Sequence, residues 1–397
     1  MHNQQLTKII TQTITNSPQK RITFAEYMNL VLYHPQFSYY SGGTVKIGSK
    51  GDFFTSPSLG ADFGELLAKQ FLQMWELLAK PNPFILVEIG AGQGLLATDI
   101  LQHLSLNYPD FLNQLEYLII EESPSLITQQ QQLLQQWLAK NLKISWKTWA
   151  EIPNNSLIGC CFSNELVDAF PVHQIILQQG KLKEIYVTTS PNTSSSQTQA
   201  NFLEISDLPS TPKLAEYFQL INIDLNPENY PEGYRTEINL AALDWIKTVA
   251  QKLQRGYLLT IDYGYPATKY YHPQRAQGTL QCYYQHRRHH NPFLNIGQQD
   301  ITAFVDFTAL ERQGELCGLE KIGFTQQAMF LMALGLGNRL ASLNSGKFNL
   351  QQILARRDAL HQLIDPTGLG SFGILIQSKN LPQKAKSLQG LTVPPML

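Results

Sequence analysis

One stretch constrains this chain more than any other: "FILVEIGAGQGLLATDI", from Phe84 to Ile100. Its first part is short and continuously apolar, as a strand buried on both faces requires. Gly90, Gly92 and Gly94 then allow a tight turn, and a helix-like run follows. A strand, a glycine turn and a helix start form the junction at which nucleotide-like cofactors sit. A dinucleotide site needs G-x-G-x-x-G or a final Ala. The third position here is Leu95, which is too bulky for close helix–strand contact. The spacing is instead G-x-G-x-G, with Glu88 two residues before the first glycine. That pattern suits S-adenosylmethionine (SAM), because a backbone without Cβ atoms lets this cofactor approach closely. Glu121 ends the next strand-like run, "EYLIIE", where a carboxylate can accept hydrogen bonds from both ribose hydroxyls.

The pattern around the glycines alternates. Strands are expected at 84–89, 116–121, 157–163 and 257–262, with helices at 95–105, 124–139 and 237–254. Alternation of this kind gives an α/β fold, a Rossmann-like doubly wound parallel sheet whose ligand lies beyond the carboxyl ends of the strands. "SFGILIQS", 371–378, reads as a late strand. The glutamine run 129–136 reads as the solvated face of a helix.

Ahead of the first strand, Leu6, Ile9, Ile10 and Ile14 follow helical spacing. "TFAEYMNLVLYHP" is a second helix, with Thr23 and Glu26 at capping-box spacing and Pro35 as its stop. A loop rich in Gly, Ser and aromatics leads to a third helix from Leu59 to Ala79. The chain thus divides into an N-terminal helical cap with a substrate or cofactor loop (1–82), a core (83–380) with insertions near 180–233 and 265–300, and a loose tail (381–397). The polar stretch 188–199 is a surface loop.

Composition narrows the function. A net charge of −1 gives no basic excess for general nucleic-acid binding. No apolar run approaches the ~20 residues of a membrane span. The N-terminus has neither a signal-peptide core nor an Arg-rich transit composition. Four cysteines, none in a CxxC pair, suggest a reduced, cytoplasmic protein. "HRRHH", 286–290, could bind zinc with Cys282, but no second ligand cluster accompanies it. A basic exposed loop is the better reading, and no metal is expected.

Four ordered stretches carry a resemblance: "GDFFTSPSLGADFGELLA", "VEIGAGQG", "NELVDAFPVH" and "DITAFVDFTAL". Together they resemble the MidA-like SAM-dependent methyltransferases, a family that includes a mitochondrial complex I assembly factor methylating a protein arginine. The resemblance implies the class I methyltransferase fold and SAM as cofactor. It implies a protein substrate, with a respiratory complex I-like subunit as the partner. It matches Glu88, Gly90, Gly92 and Gly94 to the cofactor loop and Glu121 to the ribose acid. Thr55, Ser56 and Pro57 match a loop that reaches back to the cofactor. Asn164, Glu165 and Asp168 match the active-site strand end, Asp262 and Tyr263 a "DYG" turn, and His286 a histidine near the substrate entrance. The chain departs from the family where "TSPE" becomes Ser58 and where "GTLR" becomes Gln281.

A guanidinium acceptor must be gripped by carboxylates and must lose a proton around the moment of transfer. Glu165 and Asp168, three apart, would face the same way on one helical turn. They can orient an arginine and accept its proton; the plainer alternative is that they cap the turn. Tyr39, Tyr40, Phe53 and Phe54 either line an acceptor channel or anchor their loop. "NELV" is not the N-P-P-Y type of signature found in base-nitrogen methylation. A small-molecule methyltransferase and a SAM-binding assembly chaperone are the alternatives to a protein-arginine methyltransferase.

Overall fold

The computed structural model describes residues 2–41, 55–190, 202–285, 287–343 and 349–394. Its centre is a seven-stranded sheet: β1 (Phe84–Ile89), β2 (Leu115–Ile120), β3 (Lys143–Trp146), β4 (Leu157–Asn164), β5 (Leu253–Asp262), β6 (Glu320–Gln326) and β7 (Gly373–Lys379). The spatial order is β3-β2-β1-β4-β5-β7-β6. The first five strands pair in parallel. Only β7 runs the other way, antiparallel to both β5 and β6. The expectation of a parallel sheet is corrected at that strand. An apolar run reports burial and not direction.

The order reverses between β1 and β4, which makes the crevice beyond their carboxyl ends the switch point of the sheet. β1 and β4 are buried almost throughout because helices cover both faces. On one face, α3 (Asp62–Leu77) and α4 (Leu95–Asn107) pack Phe63, Leu67, Phe71 and Ile100 against Leu86 and Phe162. On the other, helix Leu240–Lys252 sets Ile246 and Val249 against Val87 and Leu258. A fully buried phenylalanine or isoleucine contributes about 1.5–3 kcal/mol. The adjacent cysteines of β4 divide between these layers, Cys160 on the first and Cys161 on the second. Successive strand residues point to opposite faces, so the pair is buried and unbridged.

The insertions are folded. Strands at 22–23, 173–178, 181–189, 202–207 and 235–238 make an antiparallel sheet, and strands at 281–284, 287–289 and 300–302 make a smaller one. α1 (His2–Asn16) and α2 (Phe24–Tyr33) pack on them, with Leu6, Ile10, Ile14, Tyr27 and Met28 meeting Val187, Cys282 and Ile301. The capping box of α2 is complete: the Glu26 N–H donates to Thr23 Oγ1 at 3.1 Å and the Thr23 N–H to Glu26 Oε2 at 2.7 Å. Most of the polar surface loop, from 191 onward, lies outside the described residues.

Two boundaries drawn from the sequence shift. The third helix starts at Asp62, after a turn at Ser56–Leu59, and belongs to the central core rather than to a separate cap. The segment after Asn380 is not loose as far as it is described. Ala385 and Leu388 are buried, the Tyr257 hydroxyl donates to the Ala385 carbonyl at 2.7 Å, and the Gly390 N–H donates to Gln70 Oε1 at 2.9 Å. The sequence pattern missed this because isolated apolar side chains in a polar tail carry no periodicity. Leu388→Ala should therefore destabilise the protein by about 2–4 kcal/mol in urea unfolding, the cost of a cavity in a well-packed core. A loose tail would give no change.

Candidate active site at the switch point of the sheet

Gly90, Gly92 and Gly94 all have left-handed φ angles, of 71°, 53° and 84°. Side-chain-bearing residues rarely adopt such values, which explains the residue type at each position. A Cβ on Gly90 would also lie 2.7 Å from Leu166 Cδ1, so the glycine lets this turn pass beneath the "NELVDA" segment. Glu88, just before it, is buried and accepts the Tyr117 hydroxyl at 2.6 Å. Burial pushes its carboxyl up to about 7, and the nearby Glu121 adds to the rise.

Glu121 follows the end of β2. One carboxylate oxygen accepts the N–H groups of Glu122 and Ser123 at 3.0 Å, and the other accepts Gln130 Nε2 at 3.2 Å. Gln130 is fully buried. Its Nε2 also donates to the Gly92 carbonyl at 2.7 Å, and its Oε1 accepts Trp146 Nε1 at 2.8 Å. One amide thus ties together the ends of β1, β2 and β3. This corrects the reading of the glutamine run as a wholly solvated face: Gln129, Gln131 and Gln132 are exposed and Gln130 is not. The signal was present. Leu126, Gln130 and Leu134 are spaced by four, and the glutamine holds the middle of a buried stripe.

Across the crevice, β4 ends at Asn164. Asn164 Nδ2 donates to Glu165 Oε1 at 3.1 Å, and its Oδ1 has no partner among the described residues. Glu165 has a φ of 52°, a strained value for a non-glycine residue. It precedes the short turn Val167–Ala169 that carries Asp168, so the two acids do not share a helical turn as their spacing suggested. They are neighbours all the same. Burial and then Asp168 push Glu165 up to about 8. Burial pushes Asp168 up to about 6, against the Tyr263 hydroxyl beside it. Asp168 Oδ1 has no hydrogen-bond partner among the described residues. The Ser56 N–H reaches the Glu165 carboxyl, and its hydroxyl donates to Gln327 Oε1 at 3.2 Å. Thr55 and Pro57 flank it, with the Thr55 carbonyl accepting the Ser58 N–H at 2.9 Å.

Asp262 is fully buried and has a different job from the catalytic one expected. Its Oδ2 accepts the N–H groups of Leu166, Val167 and Asp168 at 3.2, 2.9 and 3.3 Å, and its Oδ1 accepts that of Tyr263 at 2.9 Å. Both oxygens are committed to the backbone, so Asp262 positions the acid-bearing turn. Tyr39 is buried in the N-terminal core and anchors its loop. Tyr40 faces the site: its hydroxyl donates to Asp300, 3.0 Å from Oδ1 and 3.1 Å from Oδ2, and its ring stacks on Tyr33 at 5.4 Å. Sequence reasoning singled out neither Tyr33 nor Asp300. Phe53, Phe54 and His286 lie outside the described residues. Among the described residues no group of His, Cys, Asp or Glu is placed to hold a metal ion.

The residues at the strand ends fit SAM: a wall of glycine backbone, a carboxylate at the end of β2, and a polar oxygen of Asn164 without a partner. Comparison with known proteins agrees. A family described as "Putative S-adenosyl-L-methionine-dependent methyltransferase" matches residues 66–325. A Drosophila melanogaster protein named "Protein arginine methyltransferase NDUFAF7 homolog, mitochondrial" is 28% identical over 382 residues, covering 88% of this chain and 79% of its own. A Rattus norvegicus protein named "Protein arginine methyltransferase NDUFAF7, mitochondrial" is 30% identical over 374 residues, with the same coverage. A crystal structure of a likely methyl transferase of the COG1565 superfamily from Burkholderia thailandensis, bound to S-adenosyl-homocysteine (SAH), superposes with a TM-score of 0.83 at 30% identity. It covers 98% of this chain and 95% of that one. The cytoplasmic expectation is corrected by these relatives, whose names place them in mitochondria. It rested on cysteine usage, which reports a reducing compartment and not which one.

Gln130→Ala should weaken SAH binding about tenfold by calorimetry, because the glycine loop and Glu121 lose their shared donor. Unchanged affinity in a folded variant would remove Gln130 from the site.

Proposed function

The chain belongs to the family of S-adenosyl-L-methionine-dependent methyltransferases, and we propose that within it the protein methylates an arginine side chain of a protein substrate. The observation that carries this reading is the pair Glu165 and Asp168. Two buried carboxyls press on one another at the end of β4, across from the glycine loop, and one oxygen of Asp168 has no partner among the described residues. A planar guanidinium, with five N–H donors and no acceptor, answers such a pair better than an ammonium does. The names of the relatives, protein arginine methyltransferases at 28% and 30% identity, support the same acceptor. The partner we propose is a subunit of a respiratory complex I-like assembly, on the resemblance of the four sequence stretches.

SAM supplies an electrophilic methyl whose bond to sulfur breaks with the electron pair staying on sulfur. The chain's own residues do the rest. Gly90, Gly92 and Gly94 keep the cofactor wall free of side chains, and Glu121, braced by Gln130, is in place to accept two ribose hydroxyls. Glu165 and Asp168 orient the acceptor, and Asp168 Oδ1 receives the proton that the nitrogen sheds as it is methylated. Asp262 fixes both acids through the turn, and Ser56 closes over Glu165. Enclosure strengthens each of these charges relative to water.

Both acids lie above their ordinary values in the folded protein. Folding therefore favours their neutral forms. The stability they contribute is full below the unfolded values and is lost as pH rises through about 6 and then about 8. Acceptor binding needs the charged forms, so activity and stability should move in opposite directions. At saturating SAM, kcat/KM should climb between about pH 6 and 8, and Glu165→Gln should remove the upper part of that rise. Asp168→Asn should lower transfer by about 10²-fold or more while SAM affinity stays within a few-fold. It should also raise the thermal midpoint at pH 8. Equal losses of affinity and activity would place Asp168 on the cofactor side. Mass spectrometry of the complex I-like assembly with and without the protein identifies the acceptor; methylation on lysine, RNA or a free metabolite alone would overturn the arginine reading.

A further inference from the structure

The small sheet of residues 281–284, 287–289 and 300–302 has two faces with different surroundings. Cys282 and Ile301 point into the N-terminal core. Gln281 and Thr302 are opposite each other across the ladder, as are Tyr283 and Asp300, so these four share the other face. That face looks onto the acid pair. The Ala303 N–H, next in the chain, donates to the Asp168 carbonyl at 2.9 Å. Thr302 and Asp168 both adjoin the Tyr263 hydroxyl. Asp300 holds the Tyr40 hydroxyl, and the Tyr33 ring stacked on Tyr40 sends its own hydroxyl to the Ala169 carbonyl at 2.8 Å. Asp300, the stacked Tyr33–Tyr40 pair and the turn that carries Asp168 are thereby linked into one cluster.

Three oxygens in this cluster make no well-formed hydrogen bond among the described residues: Asp168 Oδ1, Thr302 Oγ1 and Gln281 Oε1. Their side chains are nine-tenths or more buried, with exposures of 6%, 1% and 9%. Buried polar atoms are normally satisfied; the neighbouring Tyr263 hydroxyl has one proton to give to Asp168 or Thr302, so acceptors remain for a ligand that brings donors.

We propose that this sheet is the far wall of the acceptor site, where Asp300, Thr302 and Gln281 bind the cationic end of the acceptor side chain opposite Glu165 and Asp168. The inference rests on the cationic acceptor proposed above and adds where its second grip lies. Carboxylates on both sides suit a delocalised cation, and the stacked Tyr33–Tyr40 pair offers it an outer ring face.

Calorimetry on the SAH-loaded protein tests this with two probes: agmatine, which carries a guanidinium on one end, and cadaverine, which carries only ammonium groups. Agmatine should bind, and cadaverine several-fold more weakly. Asp300→Asn, which keeps an acceptor for Tyr40, should weaken agmatine about tenfold, and the isosteric Thr302→Val about threefold, a charge-assisted and a neutral hydrogen bond respectively. SAH affinity should stay within about twofold in both, since neither residue faces the glycine loop. If Asp300→Asn fails to fold, Thr302→Val carries the test. Wild-type agmatine affinity in both folded variants would overturn the wall and leave the arginine reading standing. Equal binding of both probes, lost in Asp300→Asn, would keep the wall and sink the arginine reading. No binding of either probe to the wild-type complex would overturn the wall as well.

Discussion

The acid-bearing half of the crevice depends on the carboxylate of Asp262. It sits at the buried end of β5 and accepts four backbone N–H groups, three of them from consecutive residues of the turn after β4. Those three donors are the otherwise orphaned N–H groups of a turn with no preceding helical residue to serve them. Without this acceptor the turn would have to bury them unsatisfied. A short irregular segment carrying two acids would otherwise be among the least ordered parts of a protein; here it is bound to the end of a buried central strand. Asn239 Nδ2 fixes the same turn from the other side through the Val167 carbonyl, at 3.1 Å.

Gln130 performs the matching task on the cofactor side. A neutral amide can donate and accept together, so one side chain joins a loop carbonyl, a carboxylate and an indole N–H. The two halves of the crevice therefore rest on different chemistry. An amide braces the half that surrounds the glycines, and a carboxylate braces the half that holds acids. The second choice loads negative charge into one small volume: Asp168 raises the proton affinity of both Glu165 and Asp262, and Glu165 adds to that of Asp262. Such a cluster is poised to take up positive charge.

The sequence exposed what is local and periodic. The strand before Gly90, the capping box of α2 and the acid at the end of β2 each announce themselves within a few residues, and the structure gathers Glu88, the glycines, Glu121, Asn164, Glu165 and Asp168 at one end of the sheet. The links between distant segments stayed hidden. Asp262 reads as one more acid after a strand, and only its N–H partners, some 95 residues away, show what it does. Asp300 is 260 residues from Tyr40. Gln130 was disguised by glutamine neighbours that do face solvent. The direction of β7 could not be read because a buried strand is equally apolar run either way.

Glu165 has a consequence of another kind. Its backbone is held in the left-handed region, and its side chain is an acid with a displaced proton equilibrium. Glycine there would relieve both the dihedral strain, about 1–2 kcal/mol, and the enclosed charge. The stability of the fold and the presence of an acid thus pull in opposite directions at this single position.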